Sequence, residues 1–305
     1  MQSIVKKEVL SVDLVKDFEK FVDVTPATMR AYKTGVRAFL RYIADCNIKS
    51  PTADTVLNFK RSLLNAGRKP STINLYLSAV KRLFNWTAKS GLYADIARDV
   101  KGVKCDKGFK KDFFIGSQIK EILNGFNTST IEGMRNYAIF ALMSTCGLRT
   151  CEISRAKISD LSTLAGQSIL YVHGKGRSDS KDFVKLSKPV ESALRSYLKM
   201  RDKVDKTEAL FTSCSDRNFG QGISRVTVST MCKKAMQKAG YDSDRLTAHS
   251  LRHSAITLCL MGGESLQNVQ AFARHSSMNT TLIYSHNIDR INSQCENLIS
   301  KEIFY

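Results

Sequence analysis

Residues 249–286 read HSLRHSAITLCLMGGESLQNVQAFARHSSMNTTLIYSH, and the interpretation of the whole chain turns on them. Apolar residues recur at helical spacing over His249–Met261 and again over Leu266–Ala273. Polar residues that a core would not ask for interrupt this pattern. His249 and Arg252 stand three apart, on one face of the first predicted helix. Arg274-His275 ends the second, and Tyr284 follows nine residues after that histidine.

Working upstream, two more segments carry unexpected polar groups. In Cys146-Gly147-Leu148-Arg149-Thr150-Cys151-Glu152 an arginine lies just past a predicted helix, Ile131–Cys146, that Gly147 ends. A carboxylate follows three residues later. Gly174-Lys175-Gly176 places a lysine in the polar turn GKGRSDSK, between β-like runs Ser168–His173 and Asp182–Leu186. Further helices are expected near Ser117–Phe126, Pro189–Lys203 and Ser224–Ala239, with a helical tail from Asn287. This half reads as a helical domain with one small antiparallel sheet.

The first hundred residues read as four or five helices. Thr25-Pro26 looks like an N-cap followed by proline at the first helical position. Met29, Tyr32, Val36, Phe39, Leu40 and Ile43 then recur as a core face. On the same helix Arg30, Lys33, Arg37 and Arg41 form a basic stripe with no acidic residue before Asp45. A solvated face is the ordinary explanation of such a stripe, and a phosphate-facing surface is the alternative. A helix over Thr52–Ala66 closes at Gly67. Another opens at Pro70-Ser71, stops at Gly91 and adds Lys81, Arg82 and Lys89. The basic, glycine-containing stretch KGVKCDKGFKK (101–111) reads as a linker. The expected organisation is a helical domain over 1–100, a linker over 101–113, a second domain over 114–286 and a C-terminal segment over 287–305.

Bulk properties point to a polyanion partner, and charge alone does not separate DNA from RNA or from an anionic membrane surface. The 305 residues exceed one ordinary core, and 43% hydrophobic with 25% charged residues describes a folded, soluble protein. Lys and Arg number 47 against 28 Asp and Glu, a net charge of +19. Residues 1–113 hold 22 basic and 11 acidic side chains, so more than half of the excess lies in little more than a third of the chain. That balance favours a polyanion, because each cation set against a phosphate releases a counterion. The eight cysteines show no CxxC pair and no zinc-like spacing with the histidines, which fits reduced thiols and no metal. The N-terminus lacks a signal-peptide layout. The longest apolar-rich run, Tyr137–Leu148, is too short to span a bilayer. A cytoplasmic location is expected.

Each polar residue alone has a plain structural explanation: Arg149 as a helix cap, Lys175 as a turn residue, the histidines and Tyr284 as half-buried core groups. Their order and spacing have none. The series Arg149, Lys175, His249-x-x-Arg252, His275 and Tyr284 resembles the tyrosine recombinases of the phage-integrase and Xer type. The basic helical region ahead of it resembles that family's core-binding domain.

The resemblance implies a mainly α fold, with a helical core-binding domain followed by an α+β catalytic domain. It implies cleavage and rejoining of DNA through a 3′-phosphotyrosine and a Holliday junction, without cofactor, metal or ATP. Tyr284 is then the nucleophile, and its ester preserves the energy of the broken bond. Arg149 and Arg252 clamp the nonbridging oxygens with planar forks that stay charged at any working pH. Lys175 is the general acid, His249 a base or orienting group, and His275 a hydrogen-bond donor to the phosphate. Glu152 braces the pocket; Arg30, Lys33, Arg37, Arg41, Lys81 and Arg82 contact DNA. His173, His253 and His286 receive no role. Implied partners are duplex DNA with paired inverted half-sites and a homo-tetramer, or a hetero-tetramer with a related recombinase, and no membrane. The chain begins almost directly in the core-binding region, leaving no room for an arm-binding domain. That points to simple two-half-site integration, excision, inversion or dimer resolution. Alternatives are a catalytically silent DNA-binding protein on this scaffold and a type IB topoisomerase. Two departures stand out: Arg274 occupies a position where the family usually has glycine, and Cys146-Gly147 replaces the commoner Thr-Gly. Arg274 is expected either to add a phosphate contact or to crowd the site. The tail, with Ile288, Ile291, Leu298 and Ile299 at near-helical spacing before Ile303-Phe304-Tyr305, is expected to dock on its own domain or on a neighbouring protomer.

Overall fold

The computed structural model describes residues 12–105, 112–174, 182–201 and 204–304. The chain divides into two compact units, Met1–Lys107 and Gly108–Tyr305.

The first unit is built from helices α1 (Val12–Phe21), α2 (Pro26–Asp45), α3 (Ala53–Asn65) and α4 (Pro70–Lys89). Thr25 is extended at the N-cap of α2, and its hydroxyl accepts from the Thr28 amide at 3.3 Å, with Pro26 filling the first turn. The punctuation at Gly67 and Gly91 is obeyed, since both take left-handed φ near +66°. In mid-α2 Gly35 permits close approach to α4. A Cβ there would lie 2.8 Å from that of Ala79. Around this crossing Phe39 meets Phe59 and Phe84 edge-on, at 5.2 and 5.8 Å between ring centroids. A second cluster joins Phe18 of α1 to Trp86.

The second unit runs α5 (Gly116–Asn124), α6 (Ile131–Thr145), α7 (Thr150–Arg155), a three-strand sheet, then α8 (Lys188–Met200), α9 (Arg225–Lys238), α10 (Ala248–Met261), α11 (Leu266–Ala273), α12 (Met278–Asn292) and α13 (Cys295–Phe304). The sheet comprises β1 (Leu161–Leu164), β2 (Gln167–Tyr171) and β3 (Phe183–Lys185), antiparallel in that order. Leu161 pairs with Leu170, which pairs in turn with Val184. α6 is buried around most of its circumference, from Ala138 to Ser144, and forms the centre of the main core. α8 buries one face only, Val190, Ala193, Leu194 and Tyr197. A smaller apolar cluster of Ile256, Val269, Ala273 and Tyr284 ties α10, α11 and α12 together.

The helical class with a small antiparallel sheet is as expected. Three elements were not anticipated: α7, β1 and α12. The first two are six and four residues long, too short to show a period. α12 begins at Met278, well before Asn287, and its start is the polar run Ser276-Ser277-Met278-Asn279-Thr280-Thr281. No residue of α13 is buried, and Leu298, Ile299, Ile303 and Phe304 are all exposed. No described helix is long and apolar enough to cross a membrane.

Candidate active site

Four elements of the second unit bring the site residues together. Gly147 ends the segment after α6 with φ +60°, a conformation that glycine adopts without steric cost. The turn places Arg149 at the N-cap of α7 and Glu152 in its first turn. Glu152 accepts three hydrogen bonds. The Arg149 amide donates to Oε2 at 2.8 Å, Arg149 Nη1 to Oε1 at 2.7 Å, and Arg274 Nη2 to Oε2 at 3.0 Å. Burial by itself would raise this carboxyl's pKa. The charge of Arg274 and the hydrogen bonds and charge of Arg149 outweigh it and hold the pKa below the usual range.

Arg252, on α10, is only 1% exposed. Its Nη1 donates to the Gly147 carbonyl at 2.6 Å and its Nη2 to the Ala273 carbonyl. Those bonds fix the guanidinium between the α6–α7 turn and the end of α11. Burial, then the charges of Arg149 and Arg274, lower its pKa to about 9, partly offset by Glu152 and Tyr284. Arg252 therefore remains a cation at neutral pH.

His275 follows Arg274, which caps α11 in the left-handed conformation. Its Nδ1 lies 3.0 Å from Thr281 Oγ1. Burial and the neighbouring charges of Arg252, Arg149, Arg274 and His249 push its pKa down to about 4. The ring is neutral at working pH, so it carries one N–H for donation.

Tyr284 sits on α12, 5% exposed, with its ring 6.2 Å from that of His275 and nearly parallel to it. Burial pushes the phenol up to about 12, against the lowering influence of Arg252 and Arg149. Its hydroxyl is hydrogen-bonded to His253 Nδ1. His253 in turn meets His249 edge-on, with ring centroids 4.5 Å apart.

The structure thus gathers Arg149, Glu152, His249, Arg252, His275 and Tyr284 around one locality. Lys175 lies outside the described residues. The strands that flank it are paired as far as Val172 and Asp182, and Arg155 Nη1 donates to the Gly174 carbonyl at 2.8 Å. Sequence reasoning assigned nothing to His253, although its i,i+4 spacing from His249 places both rings on one helical face. His173 lies 3.0 Å from Asp160, and the side chain of His286 is outside the described residues. The guanidinium of Arg274 turns onto Glu152 and the Phe272 carbonyl, contacts that sequence reasoning did not foresee.

The basic stripe is found on α2, with Arg30, Arg37 and Arg41 exposed. Lys33 differs from the sequence expectation. It pairs at 2.6 Å with Glu19 of α1, a partner invisible to a reading of α2 alone. Arg37 and Arg41 border a groove with Tyr42, Arg68 and Tyr76. On α4, Arg82 is exposed and Lys81 Nζ donates to the Arg98 carbonyl at 3.2 Å.

Comparisons with known proteins agree with this architecture. The model of the phage integrase family matches residues 113–290, and that of the phage integrase N-terminal SAM-like domain matches 18–91. A tyrosine recombinase of Synechococcus elongatus is 28% identical over 290 residues, covering 91% of this chain and 90% of that one. The tyrosine recombinase XerC of Corynebacterium glutamicum is 30% identical over 90% of this chain and 87% of its own. Among solved structures, XerH recombinase bound to its palindromic difH substrate in a post-cleavage complex superposes with a TM-score of 0.74. The identity is 22%, over 94% of this chain and 83% of that one.

Proposed function

The chain belongs to the phage integrase family and is a site-specific tyrosine recombinase, and we propose that it cleaves and rejoins duplex DNA through Tyr284. The observation that carries this assignment is the convergence of Tyr284, Arg252, Arg149 and His275 from four separate elements. Nothing in the packing of an ordinary core asks two arginines to approach one tyrosine.

Chemically, the arginines supply what metal-free phosphoryl transfer requires. Arg149 and Arg252 hold the nonbridging oxygens and offset charge that builds in the transition state. Arg252 has a fixed fork, while Arg149 is about one-third exposed and reaches outward from α7. His275, neutral, donates one further hydrogen bond to the phosphate. The Tyr284 proton passes to its hydrogen-bond partner His253, with His249 packed behind. The phenolate oxygen attacks phosphorus, the P–O5′ bond breaks, and Lys175 protonates the departing 5′ oxygen. A 3′-phosphotyrosine remains. Attack by the 5′ hydroxyl of the partner duplex reverses the step and yields the Holliday junction.

The helical first unit also contacts DNA, through Arg30, Arg37, Arg41 and Arg82, with Lys33 and Lys81 as secondary contacts. Paired inverted half-sites and a four-protomer assembly complete the reading. The exposed apolar residues of α13 support docking of that helix on the adjacent protomer, a head-to-tail contact that closes a ring. A silent DNA-binding scaffold is not favoured, because the whole set of reacting groups is retained.

The test is covalent trapping. Protein is incubated with labelled duplexes from the DNA flanking its gene, nicked so that the cleaved strand is lost, and resolved on a denaturing gel. A protease-sensitive adduct that disappears in Tyr284→Phe is expected. An adduct that persists in Tyr284→Phe refutes the nucleophile, and salt-sensitive binding without any adduct across those flanks refutes cleavage.

A further inference from the structure

Arg274 stands in an improbable backbone position. At φ +52° and ψ +46° it occupies left-handed space, which side-chain-bearing residues enter at a cost of about 1 kcal/mol or more. Glycine would relieve that strain at once. The side chain is nevertheless only 7% exposed, and both terminal nitrogens of its guanidinium are hydrogen-bonded. Nη1 donates to the Phe272 carbonyl at 2.8 Å, and Nη2 to Glu152 at 3.0 Å and to the Gly147 carbonyl at 3.4 Å. Its Nε is buried among the described residues without a hydrogen-bond partner.

Those contacts fall on the parts that hold the phosphate clamp. Glu152 also grips Arg149 through backbone and side chain. The Gly147 carbonyl is also the acceptor for Arg252. Arg274 therefore touches the supports of both clamp arginines. Its charge matters as much as its reach. Without it, Glu152 and Arg149 form a balanced pair, and a balanced pair attracts an incoming phosphate weakly. With it, one carboxylate is shared by two guanidiniums, and the group of Arg149, Arg252, Arg274 and Glu152 keeps two net positive charges.

We propose that Arg274 is a positioning residue: it ties down Glu152 and the Gly147 turn so that Arg149 is left free in charge and fixed in place for the scissile phosphate. The inference rests on the recombinase reading and deepens it. Arg274 makes no bond to the substrate. Its effect on the reaction passes through Arg149 and Arg252.

The experiment compares full-length wild type, Arg274→Gly and Arg274→Lys on two nicked duplexes carrying the site mapped by trapping. One has the normal scissile phosphate and the other a neutral methylphosphonate. Glycine suits the backbone, so Arg274→Gly is expected to fold, as checked by circular dichroism and melting. On the phosphate it is expected to form adduct about 10- to 100-fold more slowly, the usual effect of losing a group that orients a directly acting one. On the methylphosphonate, which has one charged oxygen fewer to clamp, the deficit is expected to fall below about threefold. Arg274→Lys, which keeps the charge, recovers part of the rate. A merely structural role predicts equal losses on both substrates, and that result overturns the proposal. Titration with inorganic phosphate, followed by calorimetry, needs no DNA site. Weaker phosphate binding by Arg274→Gly than by wild type supports the proposal, and equal binding overturns it. Should wild type form no adduct on any flank, the recombinase reading fails while this titration still decides the role of Arg274.

Discussion

Replacing Glu152 by glutamine tests the electrostatics of the site most directly. The carboxylate is buried, and its two oxygens accept from Arg149 N, Arg149 Nη1 and Arg274 Nη2. Glutamine keeps the shape but has only one acceptor oxygen. If that oxygen retains the two bonds now made to Oε2, the amide NH2 faces Arg149 Nη1, donor against donor. The reverse flip sets it against the Arg149 amide and Arg274. Either way one or two buried donors lose their partner, and Arg252 and Arg274 lose the anion that offsets them. Breaking a buried ion pair from one side costs about 3–5 kcal/mol. Because Arg149 is partly exposed, the low end, about 3 kcal/mol, is expected here.

Urea unfolding measures this with an internal control. Trp86 is the chain's single tryptophan and lies in the first unit, so its fluorescence reports that unit. Far-ultraviolet circular dichroism reports both. At pH 7 the dichroism transition in Glu152→Gln is expected about 1 M lower in urea, with the Trp86 transition unmoved. The dependence on pH has a definite sign. The folded-state pKa of Glu152 is depressed, so its contribution is present above the ordinary value of 4.5 and is lost as pH falls through the folded value. The gap between wild type and variant should therefore be constant from pH 6 to 8, on the order of 3 kcal/mol, and shrink below about pH 4.5. A gap under about 1 kcal/mol at pH 7, or one that does not narrow in acid, would refute the reasoning.

Three further outcomes are expected. Gly147→Ala should cost about 1–2 kcal/mol for left-handed backbone, and its Cβ would also sit 3.3 Å from the Phe272 ring. A melting-temperature fall of about 2–8 °C follows, and an unchanged melting temperature would show that the turn does not require glycine. His275→Gln should flatten the acid limb of the stability curve. The wild-type imidazole has a depressed pKa of about 4 against an ordinary 6.5, so the unfolded chain binds its proton first. The contribution of His275 to wild-type stability accordingly drops as pH falls from 6.5 and is fully lost below about 4; a wild-type and variant pair with parallel curves over that range would contradict the assignment. The double change Arg37→Ala with Arg41→Ala should lessen the slope of log binding constant against log salt by about 1.8, the share of two phosphate contacts. An unchanged slope would place the DNA elsewhere.

The motifs were legible because they are short, ordered and separated by fixed intervals, and because a helix ending at glycine or starting at Thr-Pro signals itself locally. Arg149, His249, Arg252, His275 and Tyr284 needed no coordinates to be picked out. α12 was missed for a local reason: the chain around Met278–Thr281 is polar, and its helix holds by packing Thr281 and Tyr284 inward against α10 and α11. Propensity is a weak signal in such a segment. Likewise Glu19 was not paired with Lys33 in advance, since the partners lie on different helices.

Chemical identity therefore resided in the linear order of residues, since which side chains are phenols, imidazoles, guanidiniums or carboxylates does not depend on folding. Which group touches which could be settled only by tertiary structure. His253 stands next to Arg252 in the chain, yet only the packing of α12 on α10 brings it to the Tyr284 hydroxyl. Arg274 and Glu152 are separated by 122 positions, and they meet because Gly147 turns α7 toward the end of α11. Burial then sets the electrostatics. It lowers the pKa of His275 to about 4, raises that of Tyr284 to about 12, and lowers that of Arg252 only to about 9, so that this guanidinium keeps its charge at neutral pH. Desolvation and charge–charge distance are properties of the folded volume, so no reading of spacing alone can supply them.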